Sequence, residues 1–304
     1  MLRRLFSALL IAALPEAASA QAWTLPKSNW EFSLTVQGIN QTGHLLTDGF
    51  KLPAGSSESR SLSASVGYGA TERLSLSAAI PLVGARYTDK NGPPPLPQLP
   101  LVNDACRCWQ TGLQDLGLGA RYRLGGPRLA VTPSLGLVLP SHSYNYRGEA
   151  VLGRRLRELQ FGAAVGIRPA ALPKAGRQLH YGYAVVEKTL SLPNNRSNVA
   201  ASIDYGLTSR LFAGASVYWQ HSHGGLRYGS TPDSSLPFPG EVNTPERVRE
   251  HDRLLKDNFW RIGWGLAYSF ETFDLNASAL FYARGYDSHQ GHVVTLGATW
   301  YLSP

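Results

Sequence analysis

The sequence of 304 residues has few charged side chains and, beyond its N-terminus, no long apolar run. The lack of a run of about 18 apolar residues excludes a membrane-spanning helix from the rest of the chain. Lys and Arg give a net charge of +8, but they are scattered singly and form no basic patch. Nucleic acid is therefore not expected as a partner. The 31 glycines and 10% aromatic residues instead suit a β-sheet with closely packed inner positions and an aromatic rim.

The N-terminus has the pattern of a secretory signal peptide. Arg3 and Arg4 form a short positive region, residues 5–14 are mainly apolar, and Ala-Ser-Ala precedes Gln21. This pattern predicts cleavage after Ala20, because the apolar run is too short to cross a bilayer as a helix. We therefore expect residues 1–20 to be a signal peptide and residues 21–304 to be one exported domain.

Most of the remaining chain alternates between apolar and polar or small residues. In Gln114–Leu124, QDLGLGARYRL, every second residue is apolar and the residues between them are Asp, Gly and Arg. A period of two is that of a β-strand with one apolar face. Twelve segments have this period: Trp30–Val36, Ser61–Tyr68, Leu74–Ile80, Gln114–Leu124, Leu129–Leu137, Leu159–Ile167, Leu179–Leu190, Val199–Tyr205, Leu211–Trp219, Trp260–Tyr268, Phe273–Phe281 and Val294–Leu302. The seventh is the least regular, because Glu187 falls on the same face as Tyr181 and Tyr183.

The connections between these segments are short at one end and mostly long at the other. Residues 69–73 and 206–210 are short turns, whereas residues 88–110, 140–156 and 221–257 are long. An even strand number with this asymmetry is typical of an all-β outer-membrane protein. We predict a single 12-stranded antiparallel transmembrane β-barrel with short periplasmic turns and long extracellular loops, in contact with outer-membrane lipids. Alternation alone would also suit a soluble secreted barrel or sandwich.

The polar positions of the strands would face the lumen of such a barrel. The charged residues expected to line it are Asp115, Arg121, Arg123, Arg168, Arg261 and Arg284. Charges cost little in an aqueous lumen but are expensive against lipid. One interpretation is that they form structural ion pairs across the barrel, and the other is that the arginines favour anionic solutes.

Two groups in the long loops are candidate disulfide or metal ligands. Cys106 and Cys108 are the two cysteines of an exported chain, which favours a disulfide, although a Cys-x-Cys bridge is tight. Metal binding is the alternative, because His221 and His223 could add imidazole ligands if the loops met. Solvated histidines at the base of a loop remain the simpler interpretation.

The sequence offers little support for an enzyme. Its neighbouring Ser and His residues, residues 141–143 and 221–223, lack the spacing that would place Ser and His on one strand face beside an orienting Asn or Asp. A lipid-acting enzyme is therefore a minor alternative, and no cofactor is expected.

Four segments, taken in order, resemble a known family. They are YGATERLSLSAAIPLV (Tyr68–Val83), GLQDLGLGARYRL (Gly112–Leu124), LVLPSHSY (Leu137–Tyr144) and IDYGLTSRLFAGASVY (Ile203–Tyr218). They are similar to segments of the bacterial outer-membrane barrels grouped as the phenol-degradation meta-pathway (MetA-type) transporter-like family. The resemblance implies an outer-membrane channel or transporter for small solutes, including hydrophobic or aromatic compounds. The alternative from the residues themselves is a surface protein that binds or sequesters metal with its long loops.

Overall fold

The computed structural model describes residues 22–52, 56–88, 107–148, 150–168, 178–191, 194–230, 240–242 and 244–303, and the predicted signal peptide lies outside them. The described residues form fifteen strands, one 3-10 turn (Gly240–Val242) and two short helices, α1 (Pro245–Arg249) and α2 (His251–Leu254). Neither of these helices has the length and hydropathy needed to cross a bilayer. The strands are β1 (Trp30–Leu45), β2 (Lys51–Leu52), β3 (Ser57–Gly69), β4 (Leu74–Tyr87), β5 (Gln110–Leu113), β6 (Leu116–Tyr122), β7 (Leu124–Gly125), β8 (Leu129–Leu139), β9 (Glu158–Ile167), β10 (Gln178–Ser191), β11 (Arg196–Gly206), β12 (Leu211–Ser222), β13 (Asn258–Ser269), β14 (Phe273–Tyr286) and β15 (Ser288–Leu302).

The strands form one closed antiparallel barrel with a wall of twelve strands. The short strand β2 only extends the upper part of β1, and β5, β6 and β7 are successive pieces of one interrupted wall strand. Strands β1 and β15 pair from Trp30 opposite Leu302 to Leu45 opposite Ser288, which closes the wall. Closure leaves no unpaired sheet edge, as a β-structure in hydrocarbon requires. The predicted fold class is confirmed.

The outer face of the barrel is apolar around its circumference. Leu118 and Tyr122, from the segment Gln114–Leu124, are 40% and 44% exposed, whereas Arg121 between them is buried. The same alternation places Ile262, Trp264 and other large apolar side chains outside on the remaining strands. This inside-out arrangement suits acyl chains outside and water inside, and it is the fold of a barrel that spans the bacterial outer membrane.

Aromatic side chains gather on the outer face near the periplasmic end. Trp30 packs on Tyr68 with ring centroids 4.6 Å apart, and Tyr268 packs on Phe270 at 4.7 Å. Phe273 continues this row toward Trp300 at 6.2 Å. Such a row is typical of the girdle that outer-membrane barrels place at the level of the lipid headgroups.

Candidate functional site

The lumen is the candidate site, because the polar faces of the wall strands converge there. Its extracellular half holds a cavity of about 220 Å³. The cavity wall carries neutral amides, charged side chains and a few apolar residues. The amides are Gln37, Gln41, Gln114, Gln160, Asn198 and Gln220, and the charged residues include Asp115, Arg154, Glu158, Arg196, Asp257 and Arg261.

An extracellular loop, residues 140–157, narrows the lumen from above. Its residues Tyr144 and Leu152 are buried against Ile39, Val83 and Val293, which lie on the inner faces of wall strands. The Tyr144 hydroxyl donates to Asp115 Oδ1 at 2.5 Å and accepts from the Arg155 backbone N–H at 2.8 Å. Burial, reinforced by the adjacent Asp115 carboxylate, raises the pKa of Tyr144, which therefore stays a neutral donor. Apolar contacts and hydrogen bonds together hold this loop inside the barrel.

A charged network joins this loop to β9, β11 and α2. Glu158, the first residue of β9, accepts from Arg154 at 3.3 Å and from Arg196 at 2.8 Å. Arg154 also donates to Asn194 Oδ1 at 2.8 Å and to the Arg253 carbonyl at 2.9 Å. Burial lowers the pKa of Arg154, and the negative charges of Glu158 and Asp257 oppose that shift. The network places two arginines around one carboxylate and links three segments of the extracellular end.

A second carboxylate in the cavity wall titrates near neutral pH. Asp257 directly precedes β13, and its Oδ2 accepts from Gln220 Nε2 at 3.1 Å. Burial raises the pKa of Asp257 to about 6, against the attraction of Arg261 and Arg154. The wall therefore gains one negative charge as the pH rises through this value.

The segment 22–29 lies across the periplasmic end of the lumen. Ala22 is fully buried beside Ala130 and Ala164, and its carbonyl accepts a hydrogen bond from the Thr132 hydroxyl. The Leu25 backbone N–H donates to the Ser75 hydroxyl at 2.8 Å. The segment thus joins β8 and β9 to β4 and leaves less room at the periplasmic opening.

The structure places the charged residues predicted for the lumen at different levels. Asp115 and Arg261 lie in the cavity wall. Arg121 points into the periplasmic half, where it is buried and attracted to Glu31. Two others lie at the periplasmic rim: Arg123 donates to the Glu72 carbonyl at 2.9 Å, and Arg168 stacks on Trp23 at 4.0 Å.

Arg284 differs from the prediction, because it lies on the outer face. Unbroken alternation along β14 would turn it inward. The pairing with β13 skips Ala283, so that Arg284 is opposite Trp260 while Tyr282 is opposite Arg261. Residues directly opposite each other in antiparallel strands point to the same face, and Trp260 is 46% exposed on the outside. This bulge therefore reverses the orientation of Arg284.

The predicted cysteine and histidine ligands are not gathered into one site within the described residues. Cys108 is disulfide-bonded, and Cys106 lies outside the described residues. His221 and His223 are neighbours, with ring centroids 5.0 Å apart. His221 stacks on the outward Trp219, and His223 Nε2 lies 2.7 Å from the Ser197 hydroxyl. The structure instead brings together His44, His251 and His289, a group that the sequence pattern did not single out.

The neighbouring Ser141 and His142 do not form a catalytic triad in the described part of the chain. Ser141 Oγ lies 2.9 Å from His142 Nδ1, and both residues are exposed. No carboxylate of the described residues makes a hydrogen bond with the His142 ring. The carboxylate that would orient the imidazole in a hydrolase is therefore missing from this arrangement.

No protein-family model and no curated protein sequence matches this chain. Among solved structures, the chain is similar to the COG4313 outer membrane channel from Pseudomonas putida F1, with a TM-score of 0.63, 13% identity, and 93% of this chain and 98% of that chain covered. The translocator domain of the autotransporter NalP from Neisseria meningitidis has a TM-score of 0.48 at 11% identity, with coverage of 94% and 93%. The first similarity establishes the fold, which is that of an outer-membrane β-barrel, and the MetA-type resemblance stays a prediction.

Proposed function

We propose that this protein is a passive outer-membrane channel for small solutes and that it is not an enzyme. The observation that carries the proposal is the cavity of about 220 Å³ with polar walls, enclosed by a barrel whose outer face is apolar. Water and polar solutes can form hydrogen bonds inside this wall, whereas the surrounding hydrocarbon offers none. The extracellular loop 140–157 and the segment 22–29 then set the width of the path from its two ends.

The dimensions of the cavity favour solutes smaller than most drug-sized ligands, whose sites measure about 300–1,000 Å³. On one side of the wall, Tyr218 and Phe259 pack with ring centroids 5.8 Å apart, and Leu280 lies nearby on β14. Gln160 and Gln220 provide hydrogen-bonding groups in the same cavity. Aromatic rings and amides together suit a small ring-bearing solute with one or two polar groups, as the family resemblance also implies.

The charges of the cavity favour only a weak preference between anions and cations. Glu158 is shared between Arg154 and Arg196, so these arginines are partly neutralised. Arg261 is attracted to Asp257 and lies over the Phe259 ring at 4.4 Å. Paired charges in a hydrated lumen mainly serve structure, which supports the first of the two interpretations of the lumen residues.

Solute flux into proteoliposomes tests this proposal. The purified full-length protein should admit phenol-sized ring compounds and exclude a trisaccharide, because the loop 140–157 limits the opening. Replacement of residues 145–153 with a short Gly-Ser linker should raise flux of the larger solute. A folded and correctly inserted barrel that admits neither solute, before or after the loop is shortened, would refute the channel.

A further inference from the structure

Three histidines converge at the extracellular end of the barrel, where residues 223–230, 240–242 and 244–257 pack over the seam between β1 and β15. His44 and His289 are directly opposite each other in the β1–β15 pairing, and His251 is the first residue of α2. Their ring centroids are separated by 4.8 Å for His44 and His289, 5.5 Å for His44 and His251, and 5.4 Å for His251 and His289. One possible ligand nitrogen from each ring lies within 4.8 Å of the other two.

A local irregularity in β1 turns His44 toward this group. The pairing of β1 with β15 shifts between Gln41 and Gly43, so that Thr42 has no opposite residue. The next residue, Gly43, has a φ of 153°, a backbone conformation that favours glycine. Without the extra residue, His44 would share the outward face of Trp30 and Val36. The bulge brings it to the inner face, opposite His289.

The hydrogen bond of His251 identifies Nε2 as the ring nitrogen that could bind a metal ion. His251 Nδ1 lies 2.7 Å from the Val248 carbonyl oxygen, which can only accept a hydrogen bond. Nδ1 therefore donates its proton to this carbonyl, so that Nε2 is the nitrogen whose lone pair would bind a metal ion. A hydrogen bond from the second nitrogen to a backbone carbonyl is the usual way in which a metal-binding histidine is oriented.

Asp252 adds a carboxylate to the three imidazoles. Its Oδ1 lies 3.2 Å from His251 Nε2 and 3.2 Å from His289 Nε2. In a tetrahedral zinc site with metal–ligand bonds of about 2.0–2.1 Å, neighbouring ligand atoms are about 3.4 Å apart. The carboxylate oxygen is therefore close to this spacing from each of the two nitrogens, and the ligand nitrogens of the three histidines lie within 4.8 Å of one another.

Packed side chains hold the ligands in place. Leu46, Tyr228, Val242, Val248 and Leu255 form a buried apolar cluster between the loop and the top of β1. Asp287 Oδ1 accepts from the Thr47 hydroxyl at 2.7 Å and from the Tyr228 backbone N–H at 3.0 Å. Ligands on such a supported framework need little rearrangement on binding.

We propose that His44, His251, His289 and Asp252 bind one divalent transition-metal ion, with zinc as the ion that this ligand set fits best. Three imidazoles and one carboxylate match the ligand types and the coordination number that zinc prefers. This inference goes beyond the channel function and does not depend on it. The ion would fasten α2, through His251 and Asp252, to the wall at the β1–β15 seam.

Metal titration of the full-length protein in detergent tests the site. The protein is purified without a histidine tag, stripped with a chelator and titrated with Co²⁺, whose visible absorption reports tetrahedral nitrogen and oxygen ligands. Zinc content after dialysis is measured by mass spectrometry. The wild type should bind one ion per chain, with the absorption bands of a four-coordinate site, and zinc should displace the cobalt.

Variants separate this site from the other histidines. Replacement of a ligand should weaken binding more than about 100-fold, since loss of an outer-shell partner alone costs about 10–100-fold. H251A changes a loop residue outside the wall strands, and H289A changes one of the two ligands on wall strands. The matched control is the double variant H221A/H223A, which removes two histidines from the outer face and should bind like the wild type.

Two results would overturn the proposal. One is a wild type that binds less than one ion per chain or shows only six-coordinate cobalt spectra, which would mean that the four residues form a hydrogen-bonded cluster. The other is equal binding by folded H251A and wild type. Heat-dependent gel migration verifies that each variant is a folded barrel, and H251A is the decisive variant if H289A does not fold.

Discussion

At the scale of single residues, Glu158 is the carboxylate on which the lumen network depends. Its side chain is 9% exposed and contacts two arginines. The change E158Q leaves Arg154 and Arg196 without their shared anion, and the loss of one partner from a buried ion pair costs about 3–5 kcal/mol. We expect a lower unfolding midpoint, measured as loss of the folded gel band during urea titration in detergent.

The matched control for this prediction is E250Q. Glu250 pairs with Arg147, whose side chain is 53% exposed, at 3.1 Å. An exposed pair contributes about 0–1 kcal/mol, so E250Q should unfold close to the wild-type midpoint. Equal midpoints for E158Q and the wild type would show that the network does not hold the lumen together.

Asp257 predicts a pH dependence of ion preference. Because burial raises its pKa to about 6, Asp257 is mainly neutral at pH 5 and mainly charged at pH 7.5. The added negative charge faces Arg261, Arg154 and Asp252, and it should shift the preference toward cations as the pH rises. Reversal potentials under a KCl gradient measure this shift. D257N should show at every pH the ion preference that the wild type shows at pH 5. The control D48N, in an exposed loop, should behave as the wild type. If D257N keeps the wild-type shift with pH, the shift is caused by another group.

The orientation of most, but not all, residues could be predicted from alternation. Asp115, Arg121 and Arg261 face the lumen, as alternation predicts. Where the strand around one of them is irregular, the irregularity does not move the side chain to the other face. Arg284 and His44 could not be predicted, because single-residue bulges at Ala283 and Thr42 reverse the alternation. A bulge depends on the pairing with the neighbouring strand, which a count along one strand does not contain.

At the scale of elements, the extracellular loop 140–157 acts as a constriction because its apolar side chains are anchored inside the barrel. L152A removes the side chain that packs near Val83 and Val293, and it should loosen the loop. Loss of a buried leucine side chain costs about 2–5 kcal/mol, enough to populate a displaced loop. We expect larger and more variable single-channel conductance in planar bilayers.

The control for the loop is L207A. Leu207 lies in a periplasmic turn and is 40% exposed, so its replacement removes no buried contact from the lumen. Its conductance should match that of the wild type. Conductance of L152A equal to that of L207A would show that the loop 140–157 does not limit the path.

The strands could be predicted from the sequence, but the paths of the loops could not. Alternation marks the twelve wall strands, since each has one face in lipid and one in the lumen. It is least regular in β10, where the pairing with β11 shifts between Leu179 and Tyr181. The inward fold of residues 140–157 depends on Ile39, Val83 and Val293, which are distant in sequence and carry no periodic signal for that contact. The contact of Ala22 with Ala130 and Ala164 also joins residues that are distant in sequence, so it could not be predicted from alternation.

At the scale of the whole molecule, the two faces of the wall should tolerate charge very differently. Ile262 is 55% exposed on the outer face, and Ser278 lies on the inner face of the neighbouring strand. An arginine at the lipid-facing midplane costs about 2–4 kcal/mol, whereas one in the lumen can remain hydrated. I262R should therefore reduce the folded fraction in outer membranes, while S278R should assemble normally. The reverse order would mean that the faces are assigned the wrong way round.

The apolar face of this closed wall contacts lipid in the outer membrane, and its polar face encloses water. Membrane fractionation combined with gel migration before and after heating tests this arrangement most directly. The protein should be found in the outer-membrane fraction, should need detergent for extraction, and should change its migration only after boiling. Recovery as a dissolved periplasmic protein without detergent would contradict it.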